Sequence, residues 1–466
     1  MIDWDLAAAP LVVAVGAVVA LTLDAFIGAR SWRWPSLAGG IALGLACLEL
    51  LGPRGPDGLG LGLSLVIVLG TLMVLLSAAV MDHEDAMPPG ELHFLLLASA
   101  SGAMCMVVAR DFVTLIVALE LLSLPSIAMV GLRRGDIEAA RGAWTFFLVS
   151  VVSTAVTLMG ISLVYGFTGT LDFVDVISGL GDSAAPERAI DAAIVITVIG
   201  LLFKIGAVPF HMWIPDTYFG ASIPVAAYLS VVSKAGAVGA LILVLGVPFG
   251  GHAAAWAPMI AVVAALTMTV GNVGALVQRD AVGVLAWSSI AQAGFILAPM
   301  VALGVAGGAR AAVQYLAIYA LANLVAFTMI ALVRRRWGGT TFRHLTGLAR
   351  RDPLGGACLS LALLTLAGFP PAVIGLVAKY AVLRPVIEAG YGWLAVVMAV
   401  NVALGLAYYL PMMARILSQE GDEITVVEPS PSPPHAVGVA RTSMVLGTLA
   451  LVATSAYPDL ILVPMR

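Results

Sequence analysis

The sequence predicts an all-α polytopic membrane protein of about fourteen transmembrane helices, and three observations carry that prediction. Of the 466 residues, 61% are hydrophobic and only 11% charged. The mean hydropathy is +1.05. The apolar residues fall in runs of about 20, the length that crosses a bilayer core, separated by short polar breaks. A net charge of −4 with no basic stripe argues against nucleic acid as a partner and leaves the lipid bilayer and neighbouring subunits.

In order, the runs lie near residues 6–28, 36–52, 59–81, 91–109, 112–131, 141–166 and 189–209. They continue near 222–247, 255–277, 281–304, 311–333, 355–383, 391–416 and 436–464, with the short second run the least defined. The start, MIDWDLAAAP, lacks the basic region of a cleaved signal peptide and is expected to belong to the first helix. Residues 334–353 read as an amphipathic surface segment and 417–435 as a Pro/Ser linker before a last helix at 436–466. Neither carries a phosphate loop, metal-ligand cluster or cofactor motif. Cys47, Cys105 and Cys358 are scattered through apolar sequence and read as small packing residues.

Arginine sets the orientation. With both termini on the periplasmic side, fourteen arginines fall in inside loops and six outside, so that topology is expected. The acidic loop from Asp82 to Glu91 then falls inside as well.

Lysine behaves differently. The chain has three, Lys204, Lys234 and Lys379, all within hydrophobic sequence. A lysine at bilayer depth costs roughly 2.5 to 3.5 kcal/mol on insertion scales, so three retained there point to a task. Proton handling suits an amine, because burial disfavours its charged form and a movable carboxylate restores it. Snorkelling toward the interface is the plainer alternative. Glu120 lies in the middle of its run and needs a partner or a proton. Lys204 stands just before Pro209, and Lys379 follows Pro370 and Pro371, so two spans that each hold a lysine are interrupted by proline. His211 and Asp216 follow the first interruption, as a possible proton relay or as part of an interfacial belt. Asn272, Gln292, Gln314, Asn323 and Asn401 read as helix–helix hydrogen-bonding groups, Asp24 and Glu49 as interfacial, and Tyr408 and Tyr409 as packing and belt features.

These stretches resemble the antiporter-like membrane subunits of bacterial respiratory complex I (NADH:quinone oxidoreductase), in particular the N type. The resemblance rests on LELLSLPS around Glu120, FKIGAVPFHMWIPDTYFGASIPVAAYLSVVSKAG, LAWSSIAQAGF, YALANLVAF and LAGFPPAVIGLVAKY. The Val-Pro-Phe-His run favours the N type over the L and M types and over cation/proton antiporters. Two stretches depart from the family pattern: Phe219-Gly-Ala-Ser-Ile-Pro224 replaces Glu-Gly-Ala-Pro-Thr-Pro, and Gly375-Leu-Val-Ala-Lys379-Tyr380 replaces Gly-Phe-x-Gly-Lys-Phe.

The resemblance implies an N-terminal three-helix segment (1–90) and two inverted five-helix repeats, 91–247 and 255–416, each with a broken helix. It further implies that Glu120 partners Lys204, that Lys234 is central and that Lys379 is terminal. The implied function is proton translocation in the inner membrane, driven by redox chemistry elsewhere. No cofactor is expected on this chain; NAD, FMN, iron–sulfur clusters and quinone belong to partner subunits, which include sister antiporter-like subunits. Two alternatives stay open: a subunit of a multi-subunit cation/proton antiporter, and a membrane anchor of a redox or hydrogenase assembly that moves no ions.

Overall fold

The computed structural model describes residues 4–27, 32–53, 55–56, 58–78, 87–304, 307–419 and 434–462. Most of the 417–435 linker, residues 82–86 of the acidic loop, and Arg30, Arg54 and Arg466 therefore lie outside the described residues. Three helices open the chain: α1 (Trp4–Ile27), α2 (Arg33–Leu51) and α3 (Gly58–Ala78). Then come α4 (Pro89–Val108), α5 (Phe112–Val130), α6 (Ile137–Thr168), the short α7 (Phe173–Gly181), α8 (Glu187–Ile205), α9 (Trp213–Gly220) and α10 (Ile223–Gly246). The same order recurs in α11 (Ala253–Leu276), α12 (Ala281–Leu297), α13 (Gly308–Trp337), single-turn α14 (Phe342–Leu345) and α15 (Leu348–Arg351), α16 (Pro353–Ala367), α17 (Val373–Glu388) and α18 (Gly392–Leu417). Helices α19 (Pro434–Ala456) and α20 (Asp459–Leu462) close it.

Twelve spans among the described residues are long and apolar enough to cross a membrane. Two further crossings are assembled from the broken pairs α8/α9 and α16/α17, which makes the fourteen that hydropathy predicts. Asp24 lies in the last turn of α1 and Glu49 in the last turn of α2, at helix ends as expected. The segment 334–353 is less detached than its composition implies. Arg334, Arg335 and Arg336 complete α13, and Leu345 and Leu348 of the two short helices are fully buried.

The two sets match in detail. Asp111 caps α5 and Asp280 caps α12, each accepting from backbone N–H groups of the first turn. Beside the first cap, Phe112 N–H bonds Leu171 C=O (3.0 Å) and Phe173 N–H bonds Arg110 C=O (2.9 Å). Beside the second, Ala281 N–H bonds Thr340 C=O (2.9 Å) and Phe342 N–H bonds Arg279 C=O (3.1 Å). Close helix contact recurs too. A side chain at Gly102 of α4 would meet Leu122 N at 2.5 Å, and one at Gly271 of α11 would meet Ala291 N at 2.3 Å. Small residues let neighbouring backbones approach in this way, which is the main packing device where lipid supplies no hydrophobic drive. Four crossings (α5, α6, α8/α9 and α10) lie between α4 and α11, so the second set runs the opposite way through the membrane.

The centre of the bundle is α10, α12 and α13, whose residues are mostly buried, whereas α1, α6 and α19 bury about a third of theirs. Exposed apolar side chains such as Val113, Val117, Leu124, Val151, Val396 and Val400 give the outer faces a surface suited to lipid or to a neighbouring subunit.

Candidate functional site

Each broken span ends its first half the same way. Helix α8 stops at Gly206 (φ 78°) and α16 at Gly368 (φ 72°), both in the left-handed region where only glycine is unstrained. Three residues on, a cis X-Pro bond follows each, Val208-Pro209 and Pro370-Pro371. The last carbonyls of a half-helix have no partner within it and carry the negative end of the helix dipole. An ammonium group is well placed there.

Both breaks have one. Lys204 belongs to the last turn of α8, is 1% exposed, and donates to Ser123 Oγ of α5 at 2.8 Å. Its Nζ lies 5.1 Å from the Phe146 ring centroid and 5.8 Å from that of Phe203. Lys379 belongs to α17 but reaches back to α16, donating to the Ala367 carbonyl at 2.5 Å, with Phe295 5.6 Å away. The two lysines thus both lie at a break but are held differently, Lys204 by a hydroxyl of α5 and Lys379 by a carbonyl of α16.

Lys234, in the middle of α10, is also 1% exposed. It donates to the backbone carbonyl of Ser289 on α12 and to Ser289 Oγ at 2.6 Å. Tyr319 of α13 donates to the same hydroxyl at 3.1 Å, and Tyr218 of α9 lies 3.4 Å from it. One turn further along α12, Gln292 accepts from Tyr315 (2.5 Å) and donates to the Leu366 carbonyl (3.2 Å) and Tyr409 hydroxyl (3.4 Å). Leu366 precedes Ala367, so Gln292 and Lys379 hold consecutive carbonyls at the end of α16. A cavity of about 10 Å3, close to the room one water needs, is lined by Gln292, Tyr315, Tyr319, Thr365 and Leu366. Tyr408 donates to Asn272 (2.9 Å), which donates in turn to Asn401 (2.8 Å).

The other side of Lys234 is less continuous. No hydrogen bond among the described residues connects the Lys204 cluster to Lys234. The hydroxyls of Ser153 and Ser233 are buried there without partners.

Glu120 sits on α5 one turn from Ser123, on the same helix face, and accepts from Thr154 of α6 at 2.8 Å. It makes no ion pair with Lys204; Ser123 stands in the place expected for the carboxylate. It is half-buried, beside exposed Val117 and Leu121. His211 is buried in the first break, its Nδ1 without a partner and its ring 6.0 Å from Trp287. Asp216 forms a surface pair with Arg141 at 3.6 Å and no ion pair with the lysines.

Sequence reasoning singled out the amines and missed most of what holds them: Ser123, Thr154, Ser289, Tyr315 and Tyr319. The spacing of Ser289 to Gln292 and of Tyr315 to Tyr319, each one helical turn, is the signal that could have found four of the chain's members. Tyr408 and Tyr409 are buried and joined to this polar chain, so the belt reading is corrected. Asn272, Gln292, Asn323 and Asn401 do bond between helices. Among the described residues, no three His, Cys, Asp or Glu gather as metal ligands.

A helical bundle with two oppositely directed broken-helix units and buried amines defines the antiporter-like class of membrane subunits. Residues 109–405 match the family described as NADH:quinone oxidoreductase/Mrp antiporter, TM, and the chain belongs to that family. It is 40% identical to NADH-quinone oxidoreductase subunit N 2 of Streptomyces griseus, over 99% of this chain and 93% of the relative. It is 44% identical to NADH-quinone oxidoreductase subunit N of Salinispora tropica, over 79% and 73%. Among solved structures, a chain of respiratory complex I from Thermus thermophilus with bound aureothin superposes with a TM-score of 0.77 at 29% identity, covering 97% of this chain and 98% of that one. A chain of the Mrp complex from Dietzia sp. DQ12-45-1b shares the fold, with a TM-score of 0.83 at 22% identity over 100% and 96%.

Proposed function

We propose that this chain is a proton-translocating membrane subunit of a bacterial NADH:quinone oxidoreductase. In this reading it lies in the inner membrane with both termini periplasmic, uses residues 91–247 and 255–416 as its two repeats, and handles no electrons itself. The observation that carries the reading is the buried polar chain from Lys234 through Ser289 and Tyr319 to the Gln292 cavity and Lys379. Relatives named as subunit N support the assignment to the oxidoreductase over a cation antiporter.

The mechanism is electrostatic. Glu120 is the adjustable member: half-buried on the outer side of α5, it is within reach of charge on a neighbouring subunit. Swinging toward Ser123 it would pair with Lys204; held by Thr154, as here, it leaves Lys204 on a neutral hydroxyl. A positive charge freed at Lys204 lowers the proton affinity of Lys234. At an effective dielectric near 20, two unit charges interact by about 4 kcal/mol at 4 Å and proportionately less at larger separations. That is the scale of moving one charge against 100 mV, about 2.3 kcal/mol. The proton lost by Lys234 passes to Ser289 Oγ and from there, once the Tyr319 hydroxyl turns from donor to acceptor, by Tyr319 and water in the cavity to a neutral Lys379.

The test uses the assembled enzyme in sealed vesicles and sodium-free buffer, comparing protons moved per NADH oxidised for Lys204→Ala and Glu120→Ala. Both ratios should fall. Unchanged ratios in both variants would sink the assignment.

A further inference from the structure

The closing helix α19 lies outside both sets of crossings, yet it bonds both halves of the second broken span. Near its start Arg441 donates to Asp352, the residue that caps α16 by accepting from Gly355 N–H at 3.1 Å. Near its end Ser455 Oγ accepts the backbone N–H of Ile374, in the first turn of α17, at 3.4 Å. Between these bonds Gly447 lets α19 lie close against the bundle: a side chain there would meet Val325 Cγ2 of α13 at 2.8 Å and Met73 Cε of α3 at 3.1 Å. The helix rises about 21 Å from Arg441 to Ser455, and the 15 residues of α16 rise about 22 Å. The two bonds are therefore spaced to hold the start of one half-helix and the start of the next.

The seat of Lys379 lies across that junction. Lys379 belongs to α17 and donates to the Ala367 carbonyl of α16, so its bond lasts only while the two halves keep their spacing. Gly375, next to Ile374, touches α16 directly: a side chain there would meet the Thr365 carbonyl oxygen at 2.0 Å. That contact sets how closely the halves approach, and the Ser455 bond keeps the start of α17 from sliding along it. The first N–H groups of a helix have no partner within it, and Ile374 is fully buried, so removing the Ser455 oxygen leaves a buried donor unpaired unless α17 shifts. The first break meets the same need from another helix. Val208 N–H donates to Thr267 Oγ1 of α11 at 3.0 Å, and that hydroxyl donates to the Val263 carbonyl at 2.6 Å. Each break thus places a freed backbone N–H on a hydroxyl from outside its own broken pair.

We propose that Ser455 is a positioning residue for Lys379, with α19 acting as a strap that keeps α16 and α17 in the register the amine needs. The inference rests on the proton-translocating reading given above, in which Lys379 receives the proton.

Protons moved per NADH oxidised, read on the intact complex in sealed vesicles, decide it. Ser455→Ala should lower the ratio about threefold, a change of the size that one buried hydrogen bond gives. Ser455→Thr keeps the hydroxyl and should keep the ratio. Thr454→Ala removes the neighbouring hydroxyl, which bonds carbonyls of α19 itself, and should leave the ratio unchanged. An unaltered ratio in Ser455→Ala beside a reduced one in Lys379→Ala would overturn the inference alone. Equal losses in Ser455→Ala and Thr454→Ala, or in Ser455→Ala and Ser455→Thr, would overturn it too, since the effect would then belong to the packing of α19. An unaltered ratio in Lys379→Ala would instead overturn the reading on which the inference stands. Should Ser455→Ala fail to assemble, Ser455→Cys, close in volume and a weak acceptor, is read in its place with the same outcomes.

Discussion

At the first break Lys204 is part of the half-helix whose end it occupies and donates to a side-chain hydroxyl, Ser123, with Glu120 one turn away and open to the outer face. At the second break Lys379 comes from the following half-helix, donates to a backbone carbonyl, Ala367, and adjoins a chain of buried tyrosines and glutamine. The backbone solves both breaks alike, with a left-handed glycine and a cis proline three residues later. The side chains do not. A hydroxyl can be replaced as partner by a carboxylate that swings in, so the first site is adjustable by charge. A helix-end carbonyl stays in place, so the second site is a fixed seat beside a cluster of buried tyrosines and glutamine. Under the proposed function, the same framework would serve as a control point in one half and a relay in the other.

The largest expected effect falls where the halves meet. Lys234→Ala should lower protons moved per NADH at least tenfold, with dye acidification in vesicles as the measurement. Retained pumping would mean that the halves work independently. Gln292→Leu should separate them more gently, cutting translocation severalfold while Lys204 and Glu120 stay intact. It also leaves the buried Tyr315 hydroxyl unpaired, at a cost of about 1 to 3 kcal/mol that thermal unfolding of the complex would register.

Glycine substitutions then compare the breaks directly. Gly206→Ala and Gly368→Ala should each cost about 1 to 2 kcal/mol for a left-handed alanine. Only Gly368→Ala should also impair translocation, because its methyl would lie 2.8 Å from Lys379 Cδ, whereas at Gly206 the near atom is the flexible Ile214 Cδ1. Equal loss of pumping in both would erase the distinction. The smallest effect belongs to Asp216→Asn: its surface pair with Arg141 is worth at most about 1 kcal/mol, and pumping should not change.

The spans, the breaks and the amines could be read from the chain because each is a local property. Hydropathy sums along consecutive residues, glycine and proline close together mark each break, and a lysine in an apolar run is conspicuous wherever it packs. Glu120 was equally conspicuous, yet its neighbour was not legible, since Thr154 and Lys204 both lie on helices distant in sequence. Tyr408 and Tyr409 show the same limit. A tyrosine at a lipid interface and one inside a hydrogen-bonded chain have similar sequence surroundings, and only burial tells them apart.

The sequence by itself determined fourteen crossings, two interrupted spans and three buried amines. The tertiary structure alone decided that Lys379 folds back to the end of α16, that Ser289 serves Lys234, and that polar groups and a water-sized cavity line the way from Lys234 toward Lys379. The physical reason is that the cost of burying a charge attaches to a residue, whereas the hydrogen bond that offsets it is a distance of about 3 Å between helices, set by how their small residues let the backbones approach.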